Sequence, residues 1–182
     1  MNVLIRESVQ HDGPSVCKLM MEQGSPDDQH RLEHRFKRYS NDSHHYIAVA
    51  EEQDELIGYV WAQDFGVHLR TGTKLCRLQE LYVLPEHRSK GAGRQLFKGV
   101  LRWSHIRHAT WLQWHASFSA TAFMKSLAMN LSTKRDKAFP AMKSTFPQSS
   151  AHILAMHECG RLLVRYFVPN SRSPASPSPG TM

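Results

Sequence analysis

No stretch of this chain approaches the ~18 to 20 consecutive apolar residues that a bilayer-spanning helix requires, so a helical integral membrane protein is excluded. Cysteine is scarce: Cys17, Cys76 and Cys159 are odd in number and far apart, which is no disulfide framework. The first residues, "MNVLIRESVQ", lack the long apolar core of a signal peptide, and with the few cysteines this leads to the expectation of a reducing cytoplasm. Acid is missing altogether between His87 and Arg135. Residues 1 to 86 hold nine Lys/Arg and fourteen Asp/Glu, a net of −5, while the remainder holds fourteen basic and two acidic residues, a net of +12. An acidic half beside a basic half suits a protein that holds a cation on one side and an anion on the other. The basic residues have no interleaved stacking aromatics, which argues against a nucleic-acid partner.

What is present is enough for one packed core: 182 residues at 41% hydrophobic. Alternation predicts a strand over Asn2–Val9, and "HDGPSVCKLMMEQ" predicts a helix with Asp12 as cap near Pro14. Residues Asp27–Ser40 read as a second helix with Leu32 and Phe36 on one face. "HHYIAVAEE" and "LIGYVWAQ" around "QDE" read as a hairpin, and "KLCRLQELYVLP" as a long strand closed by Pro85. Helix is predicted from Gly93 to Ile106, strand over "TWLQWHA", helix over "SATAFMKSLAM", and a last hairpin from "AHILAMH" and "RLLVRYFV" around "ECG". The order β-α-α-β-β-β-α-β-α-β-β implies an α/β fold with one mixed, mostly antiparallel sheet and helices on both faces. Residues 1–169 form this domain, and the Ser/Pro-rich 170–182 reads as a disordered tail.

The stretch "LYVLPEHRSKGAGRQLF" runs from strand through a glycine-bearing turn into a helix N-terminus. Amides at such a start have no intrahelical partner and lie at the positive end of the helix dipole, so they bind anions. Gly91 and Gly93 let a phosphate approach the main chain, and Arg88, Lys90 and Arg94 add charge around it. The stretch lacks the Gly-Lys-Ser/Thr ending of a Walker A loop and the dinucleotide Gly-x-Gly-x-x-Gly pattern.

The string "LQELYVLPEHRSKGAGRQLFKGVL" resembles the acyl-CoA signature of the GNAT superfamily of N-acetyltransferases, with Arg88-Ser89-Lys90-Gly91-Ala92-Gly93 matching its (Arg/Gln)-x-x-Gly-x-(Gly/Ala) loop. The element order is that family's order over roughly Asn2 to Val168. The resemblance implies that acetyl-CoA is the acyl donor, with no metal, and that the amides of Lys90, Gly91, Ala92 and Gly93 hold its pyrophosphate. It also implies that main-chain groups of Leu81 and Val83 pair with the pantetheine arm like an added strand.

Acetyl transfer to an amine requires the amine neutral, so a carboxylate must take its proton directly or through water. Glu80 stands where the family often places such a base, and alternation puts its side chain on the opposite face from Leu81. The family's second signature is altered. The aligned stretch has Ser117, Ala120, Met124, Ala128 and Met129, with Met124 where a tyrosine often protonates the departing thiolate. Ser117 reads either as a coenzyme contact or as a helix N-cap.

The family's acceptor cleft is bordered by the first two helices, where Glu22, Asp27 and Asp28 stand as candidate substrate-binding acids. They would suit a small polycation such as an aminoglycoside antibiotic or a polyamine, while a protein or peptide amine and a catalytically weak acyl-CoA-binding module stay open. No nucleic-acid or membrane partner is expected, and a homodimer is compatible with the resemblance. "HRLEH" at His30–His34 fits the His-x-x-Glu-His spacing of some zinc proteases, but no third ligand stands out downstream.

Overall fold

The computed structural model describes residues 3–25, 27–116, 120 and 123, together with the backbone of 157–158 and 161–167. The elements are β1 (Leu4–Glu7), α1 (Gly13–Glu22), α2 (Gln29–Ser40), β2 (His45–Glu52), β3 (Glu55–Val67), β4 (Lys74–Val83), α3 (Ala92–Ile106), β5 (Trp111–Ala116), β6 (His157–Glu158) and β7 (Arg161–Phe167). Single 3-10 turns, Gln10–Asp12 and Pro85–His87, precede α1 and the loop before α3. The predicted helix over "SATAFMKSLAM", the tail 170–182, Ser117, Met124 and Cys159 lie outside the described residues.

Among the described residues seven strands form one sheet in the order β1-β2-β3-β4-β5-β7-β6. Every pairing is antiparallel except β4 with β5, so the sheet is mixed and mostly antiparallel, as the pattern predicts. Along β2 the apolar run serves both faces. Ala48 and Ala50 join Leu96, Phe97 and Val100 of α3 in one core, while Ile47 and Val49 join Val16, Leu32 and Phe36 of α1 and α2 in another. A sheet covered on both sides needs this kind of near-continuous hydrophobic strand. Among the described residues no helix is long and apolar enough to cross a membrane.

Local features differ from the pattern, and β1 ends at Glu7, two residues short of the predicted Val9. Asp12 precedes α1 but does not cap it through its side chain, because its carboxylate accepts from Arg6 (2.7 and 2.9 Å) and from the Val9 N–H (2.8 Å). β3 also runs on to Val67, four residues past the predicted end. The β2–β3 hairpin turns through Gln53 and Asp54, both at positive φ (52° and 64°), the twist that suits a two-residue loop.

One irregularity positions the site. In the β3–β4 ladder Trp61 faces Glu80 but Ala62 faces Leu78, so Gln79 is an extra residue, a β-bulge. The bulge inverts the alternation: Leu78 and Leu81 both pack toward α3, and Glu80 and Tyr82 turn to the face covered by α1 and α2. Pairing of β4 with β5 ends at Leu78–Trp114, close to the bulge.

Candidate active site

Past the bulge, β4 keeps β3 as neighbour and has no described partner on its other edge. Leu84 N–H donates to Ile57 C=O, so by strand alternation the main-chain groups of Leu81 and Val83 point away from β3, toward the side that β5 leaves. This is an open edge of the kind an extended arm can join. The Val83 carbonyl already accepts from Arg88 Nε at 2.9 Å, and the Arg88 guanidinium lies 5.7 Å from the Tyr82 ring centre. Arg88, expected beside a phosphate, thus turns back onto its own strand.

The loop that follows has Ser89 at φ 63° and Gly91 at φ 95°, and α3 starts immediately after. Left-handed residues here curl the main chain into a concave run of N–H groups, and the first helical amides of Ala92, Gly93 and Arg94 have no partner within the helix. The two glycines have different reasons. A Cβ on Gly91 would meet nothing within 4 Å, so the need is its positive φ; a Cβ on Gly93 would come 3.2 Å from Phe123 Cζ and 3.5 Å from Leu81 Cδ2, so the need is packing. Lys90 and Arg94 are exposed around the loop. At the foot of the loop, His87 Nδ1 is 2.8 Å from Glu52 Oε2 at the end of β2, and Glu52 is 8% exposed.

On the opposite face lies a cavity of about 340 Å³ between α1, α2 and the strands. Its polar wall is made by Gln23, Tyr59 and Glu80, and Arg35 stands on its α2 side. The Tyr59 hydroxyl lies 2.6 Å from Glu80 Oε2 and 2.6 Å from Gln23 Oε1. One hydroxyl has one proton. With the Gln23 amide turned to present its NH₂, Gln23 donates to Tyr59 and Tyr59 donates to Glu80. Burial, and next the Glu80 charge, push the Tyr59 phenol far above the usual tyrosine range, so it stays a donor.

The apolar wall is aromatic. Tyr39 stacks on His45 at 4.2 Å and on Trp61 at 5.5 Å, with planes within 18°. Trp61 Nε1 donates to His45 Nδ1 at 3.0 Å, which leaves the proton of the neutral imidazole on Nε2. Burial lowers the His45 pKa and favours that neutral form.

The structure brings Glu80 to this cavity, with Leu81, Val83 and the loop on the other side of the same strand end. It does not bring Glu22, Asp27 or Asp28 to the cavity wall. Asp27 accepts from Arg35 at 2.6 Å and lies 3.6 Å from Arg31; the Arg35 hydrogen bond holds its carboxyl below the usual range. Asp28 caps α2 by accepting from the Arg31 N–H at 2.9 Å, and its other oxygen is 3.3 Å from Arg31 Nε. Glu22 ends α1 on an exposed surface. Gln23, Tyr59, Tyr39, Trp61 and Arg35 escaped the sequence reading. Their one sequence signal is parity, because Tyr59 and Trp61 share a face of β3 with each other. His30 and His34 stand on α2, and among the described residues no group of three or more His, Cys, Asp or Glu gathers as a metal site.

Comparison with known proteins agrees with the fold. The model of the acetyltransferase (GNAT) family matches residues 13–128. No curated protein matches the chain. Among solved structures, glucosamine-6-phosphate N-acetyltransferase from Arabidopsis thaliana superposes with a TM-score of 0.62 at 16% identity, over 80% of this chain and 100% of that one. An aminoglycoside N-acetyltransferase in complex with CoA gives 0.63 at 16%, over 82% and 95%. A ribosomal-protein-alanine N-acetyltransferase from Brucella melitensis biovar Abortus 2308 gives 0.56 at 18%, over 79% and 100%. The family match spans more than half of the sequence and includes the bulged strand, the glycine turn and α3, and so the chain belongs to the GNAT family and is an acetyl-CoA-dependent N-acetyltransferase.

Proposed function

We propose that the protein acetylates the primary amine of a small molecule by direct attack in a ternary complex, with Glu80 as general base. The observation that carries this reading is that one bulged strand offers Glu80 to a cavity on one face and an open main-chain edge, leading into the concave loop, on the other. The loop fits a pyrophosphate: Gly91 has open space where a side chain would stand, and Lys90 and Arg94 flank it. The amides of Lys90 to Gly93 would hold the diphosphate, and the edge of Leu81 and Val83 would hold the pantetheine arm. Acetyl-CoA supplies an acyl group activated as a thioester.

The remaining chemistry belongs to the chain. An amine arrives as ammonium, and the Glu80 carboxylate takes its proton so that the nitrogen lone pair is free to attack the thioester carbonyl. As the C–N bond forms the C–S bond breaks, and the proton then shed by the nitrogen would pass through water to the departing CoA thiolate. Tyr59 keeps one Glu80 oxygen in place and leaves the other to the amine. Among the described residues, direct transfer is also favoured over a cysteinyl intermediate. Cys17 and Cys76 are fully buried, and burial pushes their thiols up to about 11 and about 12, so neither is a thiolate nucleophile. Buried thiols of this kind suit the reducing cytoplasm we propose as the site of action.

The acids expected to hold a polycation are committed to arginines, and Arg35 adds a positive charge to the cavity. The geometry therefore supports an acceptor presenting one amine more than an aminoglycoside- or polyamine-like one. The test is Glu80→Gln, which keeps shape and removes basicity. Turnover should fall ~10²-fold at neutral pH while acetyl-CoA binding survives, and the deficit should shrink as pH rises and the amine loses its proton unaided. Unchanged turnover at every pH would remove Glu80 from the mechanism.

A further inference from the structure

We infer that the acceptor is an aryl-alkylamine: a single ammonium group on a flat apolar body of one or two rings. This rests on the reading of the cavity as the amine site. Its two ionisable poles among the described lining residues, apart from the phenols, are Glu80 and Arg35. Glu80 takes one ammonium. A second ammonium would face Arg35, whose counter-charge, Asp27, is already bonded to it at 2.6 Å and does not reach the cavity wall. Glu80 is the one carboxylate among the described lining residues, so a second ammonium would find no acid there, and Arg35, half-exposed and paired with Asp27, offers it none.

The rest of the wall points to the body of the ligand. Phe36, Tyr39 and Trp61 line the cavity, together with Leu32, Ile47 and Met20. Tyr39 and Trp61 are near-parallel, and His45 completes their stack with its neutral ring. The Trp61–His45 hydrogen bond and the Tyr39 ring stacked on one side hold the indole in place, so the aromatic wall is preformed. An aromatic ring placed on such a surface gains stacking as well as area burial, whereas the hydroxyl-rich rings of a sugar would leave polar groups without partners there. A volume of about 340 Å³ is at the small end for ligand pockets, which suits one or two fused rings and a short amine arm.

The test is a panel of acceptors at saturating acetyl-CoA, with CoA thiol release as readout: phenethylamine, tryptamine, spermidine, kanamycin and a short peptide with a free N-terminus. The aryl-alkylamines should show kcat/KM at least about tenfold above the others, equivalent to one good contact. Trp61→Leu should raise KM for tryptamine by about tenfold with kcat little changed and with KM for acetyl-CoA unchanged; Tyr39→Ala provides the same comparison if the first variant folds poorly. Higher kcat/KM for spermidine, kanamycin or the peptide would overturn the acceptor class and leave acetyl transfer standing. If acetyl-CoA raises the melting temperature but no amine of any class is acetylated, both the acceptor class and the proposed transfer are overturned.

Discussion

Tyr59 on β3 and Glu80 on β4 meet through a 2.6 Å hydrogen bond on the face that also carries the cavity, although they stand diagonally across the ladder. A short bond from a neutral phenol to a carboxylate is charge-assisted and fixes which oxygen is left for a substrate. Tyr59→Phe should therefore lower kcat by about tenfold, the loss of about 1.4 kcal/mol of positioning, with KM for acetyl-CoA unchanged. Steady-state kinetics with each substrate varied in turn check it; an equal loss through acetyl-CoA binding would place Tyr59 outside the amine site.

The glycines of the loop should separate by mechanism. Gly91→Ala forces a side chain onto φ 95° in open space, so it should cost about 1 kcal/mol of stability and leave acetyl-CoA binding in place. Gly91→Glu adds a negative charge where a pyrophosphate would lie. Acetyl-CoA at about a hundred times its Kd should stabilise the native protein by ~2.7 kcal/mol and the glutamate variant not at all, as read by denaturant unfolding with and without ligand.

His87 anchors the foot of that loop to the buried Glu52, whose second oxygen, Oε1, has no hydrogen-bond partner. Removing the imidazole in His87→Ala should cost about 2 kcal/mol of stability, because a buried carboxylate loses its bonded partner. The loop should also loosen, raising KM for acetyl-CoA about tenfold without changing KM for the amine. Recovery of the coenzyme KM in His87→Gln, which retains a donor, would tie the effect to the hydrogen bond.

Asp64 sets an acid limit to stability. Burial alone would raise its pKa, but the Gly66 N–H, Arg107 (3.0 Å) and Lys74 (3.2 Å) together hold the carboxyl below the usual range. A depressed native pKa means that this stabilisation is complete above the unfolded value of about 3.9 and is lost as pH falls through the lower native value. Asp64→Asn should cost about 2 kcal/mol at neutral pH and flatten the decline in urea midpoint below about pH 4. A variant that follows the wild-type decline at every pH would show that other carboxylates carry it.

The loop and the helix behind it were legible in the sequence because their causes are local. A left-handed glycine, a run of partnerless amides and an apolar helix face are each written within a few residues, from Ser89 to Leu101. The hairpin through Gln53 and Asp54 and the strands around it were legible for the same reason, since period-two alternation is a property of neighbours. Even the opposition of Glu80 and Leu81 needs only adjacency. What lies across the ladder needed the fold: counting by twos from Leu78 would put Glu80 on the α3 face, and the bulge at Gln79, which appears only when β4 is laid against β3, turns it toward Tyr59. The charge of the acceptor site was decided in the same way. Asp27 reads as a free acid until α2 winds and brings Arg35, two turns on, back to it at 2.6 Å, because an ion pair answers to distance in space and the sequence records only distance along the chain.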